Sequence, residues 1–277
     1  MKLELMNFLT GFVLSGAMAM VIERRDMLTF GGMVTAIALG TMVYGLGGPV
    51  WMGVLFAFFV SSGALTSLFE REKEKVNREQ FEKGGPRDPW QVIANGGLAS
   101  ALAAAYYLYP QPIMLAAFLG VLATVNADTW ATEIGVLSRH VPRMVTTFKP
   151  VEKGRSGGIT FLGSAASLLG ALFIGGCAVV LASIFDPTLL HAFGWEKVIV
   201  IAGISGLFGS VVDSLFGATI QAQYYCGSCK KPTEQRVHHC GTRTVLKSGF
   251  QVVDNDTVNL LASVVGGIAA ALLFPLL

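Results

Sequence analysis

Residues 112–137 read PIMLAAFLGVLATVNADTWATEIGVL. A helix needs about 20 mostly apolar residues to cross the hydrocarbon core of a bilayer, and the first half of this stretch contains only apolar and small side chains. The second half nevertheless contains Asp128 and Glu133. A carboxylate inside a spanning helix costs roughly 2.5–3.5 kcal/mol of insertion free energy. The stretch therefore predicts a membrane-spanning helix whose two acids have a specific role.

The whole chain has the composition of a multi-pass membrane protein. Of its 277 residues, 53% are hydrophobic and only 14% are charged, whereas soluble domains are about one quarter charged. These values exclude an ordinary soluble domain and a disordered chain, and the net charge of +2 does not indicate a nucleic-acid partner. We predict an all-α polytopic protein with one membrane domain over residues 1–277. Its eight predicted spans are residues 3–22, 27–47, 49–69, 91–109, 112–137, 158–185, 198–221 and 251–277.

The distribution of positive charge predicts the orientation. Cytoplasmic loops of membrane proteins are enriched in Lys and Arg. If the N-terminus is outside, 18 of the 20 Lys and Arg residues fall on the inner side, and only Lys2 and Lys197 fall outside. We therefore predict a multi-pass protein of the cell membrane with both termini outside. The longer polar loops, 70–90, 138–157 and 222–250, are then cytosolic, and the first is expected to extend the third helix.

Polar side chains gather on one face of the fifth span. At about 100° per residue, its polar residues fall within one arc, while Trp130, Ala127 and Ala131 lie on the opposite side. The residues of the polar face are Asn126, Asp128, Thr129, Thr132 and Glu133. This face is therefore predicted to line a polar space.

The seventh and eighth spans carry similar faces. Asp213 shares an arc with small and polar residues, and Asp256 shares one with Asn255 and Asn259, whereas Asp254 points elsewhere and is expected to cap the helix. Membrane carboxylates often pair with Lys or Arg from a neighbouring helix, and that alternative stays open for any single acid. Acids on three spans at similar depth favour a divalent cation, and oxygen ligands suit Mg²⁺. The candidate catalytic and magnesium-binding residues are Asp128, Glu133, Asp213 and Asp256.

A basic, glycine-rich segment precedes the sixth span, where residues 149–158 read KPVEKGRSGG. Backbone N–H groups of such a loop can converge on an anion, and the following helix N-terminus adds partial positive charge. We interpret the segment as a candidate phosphate cradle, and a flexible loop on the positive-inside face is the alternative. It is not a Walker A loop, because the Gly-Lys-Ser/Thr ending is missing. Lys83 and Arg87, before the fourth span, form a further candidate phosphate contact.

A cysteine-rich segment lies in the third loop. Cys226 and Cys229 have Cys-x2-Cys spacing, and His238, His239 and Cys240 follow. Two thiolates, a third Cys and one His make a four-ligand set for structural Zn²⁺, and a reducing cytosol disfavours disulfides. The sequence does not choose between the two histidines. Redox-active thiols are the alternative.

These segments together resemble one family of integral membrane proteins, which includes plant phytyl-phosphate kinase, animal transmembrane protein nineteen and many archaeal and bacterial members. The matching stretches are QVIANGG at 91–97, NADTWATE at 126–133, KPVEKGRSGG at 149–158, GSVVDSLFGATIQ at 209–221 and DNDTVN at 254–259. The zinc-like loop resembles the prokaryotic members and departs from the plant and animal ones.

The resemblance implies a kinase that converts a prenyl monophosphate to a prenyl diphosphate, with CTP or another nucleoside triphosphate as the donor. The attacking phosphate oxygen is already anionic, so metal and basic groups matter more than a strong base. We expect basic and glycine residues to bind phosphates and amides to orient ligands. The candidate binding residues are Arg87, Asn95, Asn126, Lys149, Lys153, Gly154, Arg155, Ser156, Gly157, Gly158, Asn255 and Asn259.

Two alternatives stay open at this stage. Glycines and acids at mid-depth also describe an ion- or anion-coupled transporter, although no inverted repeat is visible in the sequence. A cytidylyltransferase that makes a CDP-linked lipid would use similar groups. Small-residue faces such as Gly163, Ala166 and Gly170 are compatible with packing inside a monomer or within a homo-oligomer.

Overall fold

The computed structural model of the protein describes residues 2–23, 27–69 and 85–277. Within these ranges, eight helices have 18 residues or more. The long helices are α1 (Lys2–Glu23), α2 (Phe30–Gly47), α3 (Pro49–Leu68), α4 (Pro89–Leu108), α5 (Pro112–Gly135), α6 (Phe161–Phe185), α8 (Trp195–Thr219) and α9 (Asn255–Leu273). A short helix, α7 (Pro187–Phe193), and a 3₁₀ turn (Phe274–Leu276) complete the set. Arg24, Arg25, Lys83 and most of the predicted extension at 70–90 lie outside the described residues.

Seven of the eight long helices in the described ranges are long and apolar enough to cross a membrane. The exception is α4, which corresponds to the predicted fourth span. It has 20 residues, but Gln91, Asn95 and two tyrosines near its end lower its hydropathy. The chain is therefore a mostly helical, multi-pass protein with seven candidate spans. Helix α4 is long enough to cross a membrane, but it is less apolar than the other seven.

The hydrophobic core is built around the first half of α5. Residues 115–127 of this helix are all buried, and α5 packs against α3, α4, α6, α8 and α9. Trp51 of α3 lies against Phe118 of α5 and Tyr106 of α4, with ring centroids 4.4 and 4.9 Å apart. The apolar half of α5 is thus the central packing element, which leaves its polar half at one end of the bundle.

Side-chain caps fix the starts of the helices at that end. Asp88 accepts a hydrogen bond from the Gln91 backbone N–H at 2.9 Å, and the Asp88 backbone N–H donates to Gln91 Oε1 at 3.0 Å, which is a complete capping box. Thr160 caps α6 through the Gly163 N–H at 2.9 Å. Asp254 caps α9 through the Thr257 N–H at 2.9 Å, as predicted for this acid.

Two small antiparallel sheets lie in the connections, and the all-α prediction did not include them. Strand β1 (Arg143–Met144) pairs with β2 (Gly158–Ile159). Strand β3 (Gln223–Cys226) lies between β4 (Lys231–Thr233) and β5 (Val245–Ser248). Strands of two to four residues are too short to produce a readable period-two pattern, which explains why the sequence did not reveal them.

Candidate active site

A cavity of about 320 Å³ lies at the end of the bundle where α5 and α8 end and α4, α6 and α9 begin. This volume is at the lower end of the range of small-molecule sites. Segment 153–160, which leads into α6, contributes part of the wall. The cavity therefore lies where the polar halves of several helices meet the loops that connect them.

Most of the predicted site residues line this one cavity. The four acids of the candidate magnesium set are among them, although they come from three helices. The other predicted residues in the wall are Arg87, Asn95, Lys153, Gly154, Arg155, Ser156, Gly157, Gly158, Asn255 and Asn259. Lys149 and Asn126 are not part of the lining.

Asn126 instead joins three helices inside the bundle. Its Nδ2 donates to the Gly170 carbonyl of α6 at 2.7 Å, and its Oδ1 accepts from the Ser61 hydroxyl of α3 at 2.9 Å. The side chain is fully buried. Its amide groups are occupied by these contacts, so the geometry gives Asn126 a packing role rather than the ligand-orienting role that the sequence suggested.

Asp128 of α5 and Asp213 of α8 form the centre of the acidic set. Their carboxyl groups are in hydrogen-bonding contact. The second oxygen of Asp213, Oδ2, is buried and makes no hydrogen bond with any residue that the structure describes. Two adjacent carboxylates repel each other unless a proton or a cation lies between them. The pair, with one oxygen still lacking a partner, fits a hard divalent cation such as Mg²⁺.

Glu133 lies one turn nearer the end of α5 than this pair. Its Oε1 accepts a hydrogen bond from the Thr66 hydroxyl of α3 at 3.0 Å, and its charge acts on Arg87. Burial lowers the pKa of Arg87, and the Glu133 carboxylate opposes that effect. Glu133 therefore interacts in part with a basic residue, which was the alternative to cation binding. Arg87 also lines the cavity and gives it positive charge.

The first turn of α9 faces the cavity through Asn255, Asp256 and Asn259. The N-terminus of a helix carries partial positive charge and favours anions nearby. The amides and the carboxylate on this turn can orient a ligand or supply oxygen atoms to a cation. The wall of the cavity thus combines acidic groups from α5, α8 and α9 with basic groups from Arg87 and the glycine-rich loop.

The glycine-rich loop is packed tightly against the end of α8. Gly157 has a φ of +78°, and a methyl group added there would lie 2.5 Å from the Ala218 Cβ. The Gly158 N–H donates to the Arg155 carbonyl at 2.9 Å, so this amide is used within the loop. Gly157 therefore permits close packing against α8, and the Gly158 amide is already bonded within the loop.

Lys153 and Arg155 have different surroundings in this loop. The Lys153 ammonium donates to the carbonyls of Val136 and Ser138 at 3.2 and 2.6 Å. It thereby provides hydrogen bonds to backbone carbonyls just after the end of α5. The Nε of Arg155 is buried and makes no hydrogen bond within the described part of the chain. A buried guanidinium N–H with no partner is costly, and an anionic ligand in the cavity would satisfy it.

Sequence reasoning missed two residues that support this site, Thr66 and Glu234. Glu234 follows β4, is buried, accepts a hydrogen bond from the Ser156 hydroxyl and is close enough for its charge to act on Asp213. Glu234 is in a loop, and Thr66 is one of four hydroxyl residues, with Ser61, Ser62 and Ser67, near the end of a helix that has no charged residue. A long-range contact of this kind leaves no signal in a single sequence.

The cysteine-rich segment forms a compact cluster of possible metal ligands. One ligand atom from each of Cys226, Cys229, His238 and Cys240 lies within 4.8 Å of the others. His239 is outside the cluster and packs against His238, with ring centroids 4.0 Å apart and the rings tilted by 49°. The geometry therefore selects His238. Its buried Nε2 makes no hydrogen bond with the residues that the structure describes.

Two thiols of the cluster have pKa values shifted in opposite directions, and hydrogen bonding with Cys240 raises the pKa of Cys229 to about 11. Hydrogen bonds with Thr242 and His238 lower the pKa of Cys240 to about 5, which favours the thiolate that binds metals. The Cys226 and Cys240 sulfur atoms are 3.6 Å apart. Three cysteines and one histidine form a set typical of structural zinc sites. The cluster is therefore a candidate zinc centre, separate from the acidic cavity.

The fold and the cavity define a multi-pass membrane protein with a charged, ligand-sized cavity at one end of its helix bundle. The chain belongs to the family described as integral membrane protein DUF92, whose sequence profile matches residues 13–267. It is 30% identical to Protein PGR of Arabidopsis thaliana, over 95% of this chain and 96% of the relative.

Two other relatives extend the comparison. An uncharacterized membrane protein of Methanocaldococcus jannaschii is 28% identical, over 93% of this chain and 90% of the relative. Protein VTE6, chloroplastic, of Arabidopsis thaliana is 25% identical, over 89% of this chain and 65% of the relative. No solved structure matches the chain.

Proposed function

We propose that the protein is a magnesium-dependent phosphotransferase that uses CTP, or another nucleoside triphosphate, to convert a prenyl monophosphate to a prenyl diphosphate. The observation that carries the proposal is the convergence of Asp128, Glu133, Asp213 and Asp256 with Arg87 and Arg155 on one cavity. Membership of the DUF92 family and the resemblance to the family of plant phytyl-phosphate kinase support the choice of substrate.

The chemistry of the reaction matches the charges in the cavity. The acceptor phosphate oxygen attacks the terminal phosphorus of the donor. The bond from that phosphorus to the bridging oxygen breaks, and the nucleoside diphosphate leaves. Both reactants are polyanions, so the main barrier is their repulsion. Arg87 and Arg155 neutralise phosphate oxygens, and the amides of Asn95, Asn255 and Asn259 orient them.

The acidic residues would hold the metal. Asp128 and Asp213 would be the central ligands, because their carboxyl groups are in contact and one oxygen of Asp213 has no hydrogen-bond partner among the described residues. Glu133 and Asp256 would complete the set from the neighbouring turns of α5 and α9. A bound Mg²⁺ would supply positive charge that offsets the negative charge of the substrate phosphates.

The proposed topology brings both substrates to the same side of the membrane. With both termini outside, the loops that cover the cavity are cytosolic, and 18 of the 20 Lys and Arg residues are on the side that the positive-inside rule favours. A soluble nucleotide would then reach the cavity from the cytosol, in the cell membrane of the organism. A structural Zn²⁺ at Cys226, Cys229, His238 and Cys240 would stiffen the loop beside it.

The test is a reaction with radiolabelled nucleotide in detergent. Purified protein is incubated with γ-labelled CTP or ATP, Mg²⁺ and geranylgeranyl monophosphate, and the products are separated. Labelled geranylgeranyl diphosphate with release of the nucleoside diphosphate supports the proposal, and Asp128→Asn should slow product formation at least about a hundredfold. A CDP-linked lipid with release of pyrophosphate would instead identify a cytidylyltransferase. Uptake into sealed vesicles without turnover would identify a transporter.

A further inference from the structure

The wall of the cavity includes residues that also belong to the outer surface of the helix bundle. Val211 of α8 lines the cavity and is 43% exposed. Ser164 of α6 lines the cavity and is also exposed. The outer surface of these helices in an integral membrane protein faces acyl chains. The cavity thus reaches the lipid-facing surface between α6 and α8.

The helical positions of these residues support this continuity. On α8, Ser210 and Ser214 line the cavity, whereas Ile204 and Phe208 lie on the exposed apolar face. At about 100° per residue, Val211 lies between those two faces. On α6, Ser164 lies between the cavity-lining Ser167 and the exposed Leu168. The boundary between cavity and lipid therefore runs along matching edges of both helices.

Close contacts limit this boundary at its two ends. Toward the bundle centre, a methyl group added at Gly206 would lie 2.6 Å from the Ala171 Cβ, so α6 and α8 are in tight contact there. Toward the loops, Gly157 packs equally closely on Ala218. Between these two contacts, both helices contribute side chains to the cavity wall.

We infer that the gap between α6 and α8, bordered by Ser164, Ser167, Leu207 and Val211, is a lateral opening that binds the prenyl tail of the acceptor. This inference rests on the proposed function, because it assigns a site to the substrate's apolar part. The phosphate of such a substrate must enter a polar cavity, while its tail is most stable in lipid. An opening in the side wall satisfies both requirements without moving the charged group through the hydrocarbon core.

The chemistry of the border suits an isoprenoid chain. Leu207 and Val211 provide aliphatic surface, and Ser164 and Ser167 are small side chains on the opposite helix. Asp213 lies about 160° around α8 from Val211, and its Oδ2 is buried, so the acidic pair is on the side of the helix away from the border. A substrate lying in the opening would direct its phosphate toward the metal-binding residues and Arg155.

A photoreactive substrate tests the inference without relying on turnover. Geranylgeranyl monophosphate with a diazirine at the end of its tail is irradiated with the purified wild-type protein in nanodiscs, and the labelled peptides are identified by mass spectrometry. We expect labelling within 161–171 and 204–217, reduced by excess unlabelled geranylgeranyl monophosphate. Labelling elsewhere, or labelling that only bulk phospholipid reduces, would overturn the inference.

Substitution at the border provides the kinetic test. Val211→Trp should raise the ratio of KM for geranylgeranyl monophosphate to KM for dimethylallyl monophosphate by about tenfold. This is the loss of affinity expected when about two methylene groups of the longer tail lose their apolar contact. The matched control is Ile204→Trp, on the lipid-facing side of the same helix and outside the cavity wall. Equal ratios in the two variants would contradict the opening. If the wild type phosphorylates no acceptor while the labelling pattern is as expected, the proposed reaction is wrong and the lipid site stands.

Discussion

The Ser156 hydroxyl donates a hydrogen bond to the Glu234 carboxylate, and this contact joins the glycine-rich loop to the segment that carries the cysteine cluster. Glu234 comes one residue after β4, and β4 pairs with the strand that ends at Cys226. The candidate zinc centre is therefore connected to the acidic cavity by a short, direct path. The cysteine cluster is positioned to hold one wall of the cavity in place.

The first prediction concerns this contact. Glu234→Ala removes the acceptor of the Ser156 hydrogen bond, so we expect kcat/KM to fall about tenfold, which is the effect of losing one hydrogen bond to a charged group. Glu234→Gln keeps an acceptor oxygen and should retain more activity. The kinetics are measured in detergent with the labelled nucleotide. Glu152→Ala, at an exposed glutamate of the glycine-rich loop, is the control, and an equal loss in that variant would count against a specific role for Glu234.

The second prediction concerns the Asp128 and Asp213 pair. Asp128→Asn and Asp213→Asn each remove a candidate metal ligand and should lower kcat at least about a hundredfold, the scale seen when one charge-stabilising group is lost. Either change also relieves repulsion between two buried carboxyl groups, so the melting temperature should stay the same or rise. Thermal unfolding and turnover are measured on the same preparations.

Asp186→Asn is the matched control for the acidic pair, because Asp186 follows α6 at the opposite end of that helix from the cavity. It should leave kcat unchanged. A lower melting temperature in Asp128→Asn or Asp213→Asn, with activity retained, would show that the pair stabilises the bundle and has no catalytic role.

The third prediction concerns Asn126 and Asn259. Both were predicted from the sequence to orient ligands, but only Asn259 lines the cavity. Asn126→Ala removes the hydrogen bonds to Gly170 and Ser61 and should lower the free energy of unfolding by about 1–3 kcal/mol. Asn259→Ala, in the cavity wall, should instead raise KM and leave the melting temperature nearly unchanged. The two effects are measured by thermal unfolding and steady-state kinetics. Similar behaviour of the two variants would contradict the packing role assigned to Asn126.

The fourth prediction concerns the cysteine cluster. We expect one zinc per chain by elemental analysis, and we expect His238→Ala and Cys240→Ser to lose it, since one ligand of a closed four-ligand site is removed. His239→Ala should keep the metal, because His239 lies outside the cluster. A strong chelator should lower the melting temperature of the wild type. Zinc retained in His238→Ala and lost in His239→Ala would reverse the ligand assignment.

Local patterns in the sequence predicted the helices and much of the cavity wall. The polar faces around Asp128 and Asp213 were visible because helical periodicity is a property of neighbouring residues, and the cap at Asp254 follows from the position of that residue at a helix start. The spacing of the cysteines likewise indicated a metal cluster. These features depend on contacts within one segment of the chain.

Other features depend on contacts between distant segments, and the sequence could not reveal them. Asn126 lies on the predicted polar face of α5, yet its amide contacts α3 and α6. Lys149 belongs to the basic loop, but it is exposed and does not line the cavity. The choice of His238 over His239 depends on how the loop folds back on β3. Each of these outcomes is decided by tertiary packing rather than by periodicity or spacing.

The polar composition of α4 has a consequence for how the protein reaches its folded state. Gln91 and Asn95 face the cavity, and α4 packs on α2, α5 and α9. A translocon partitions each segment by its hydropathy, and α4 falls below the level that carries the other long helices into the bilayer. We expect α4 to insert together with the strongly apolar α5 as a helical hairpin, joined by the short connection at 109–111. The cavity wall would then be assembled during biosynthesis.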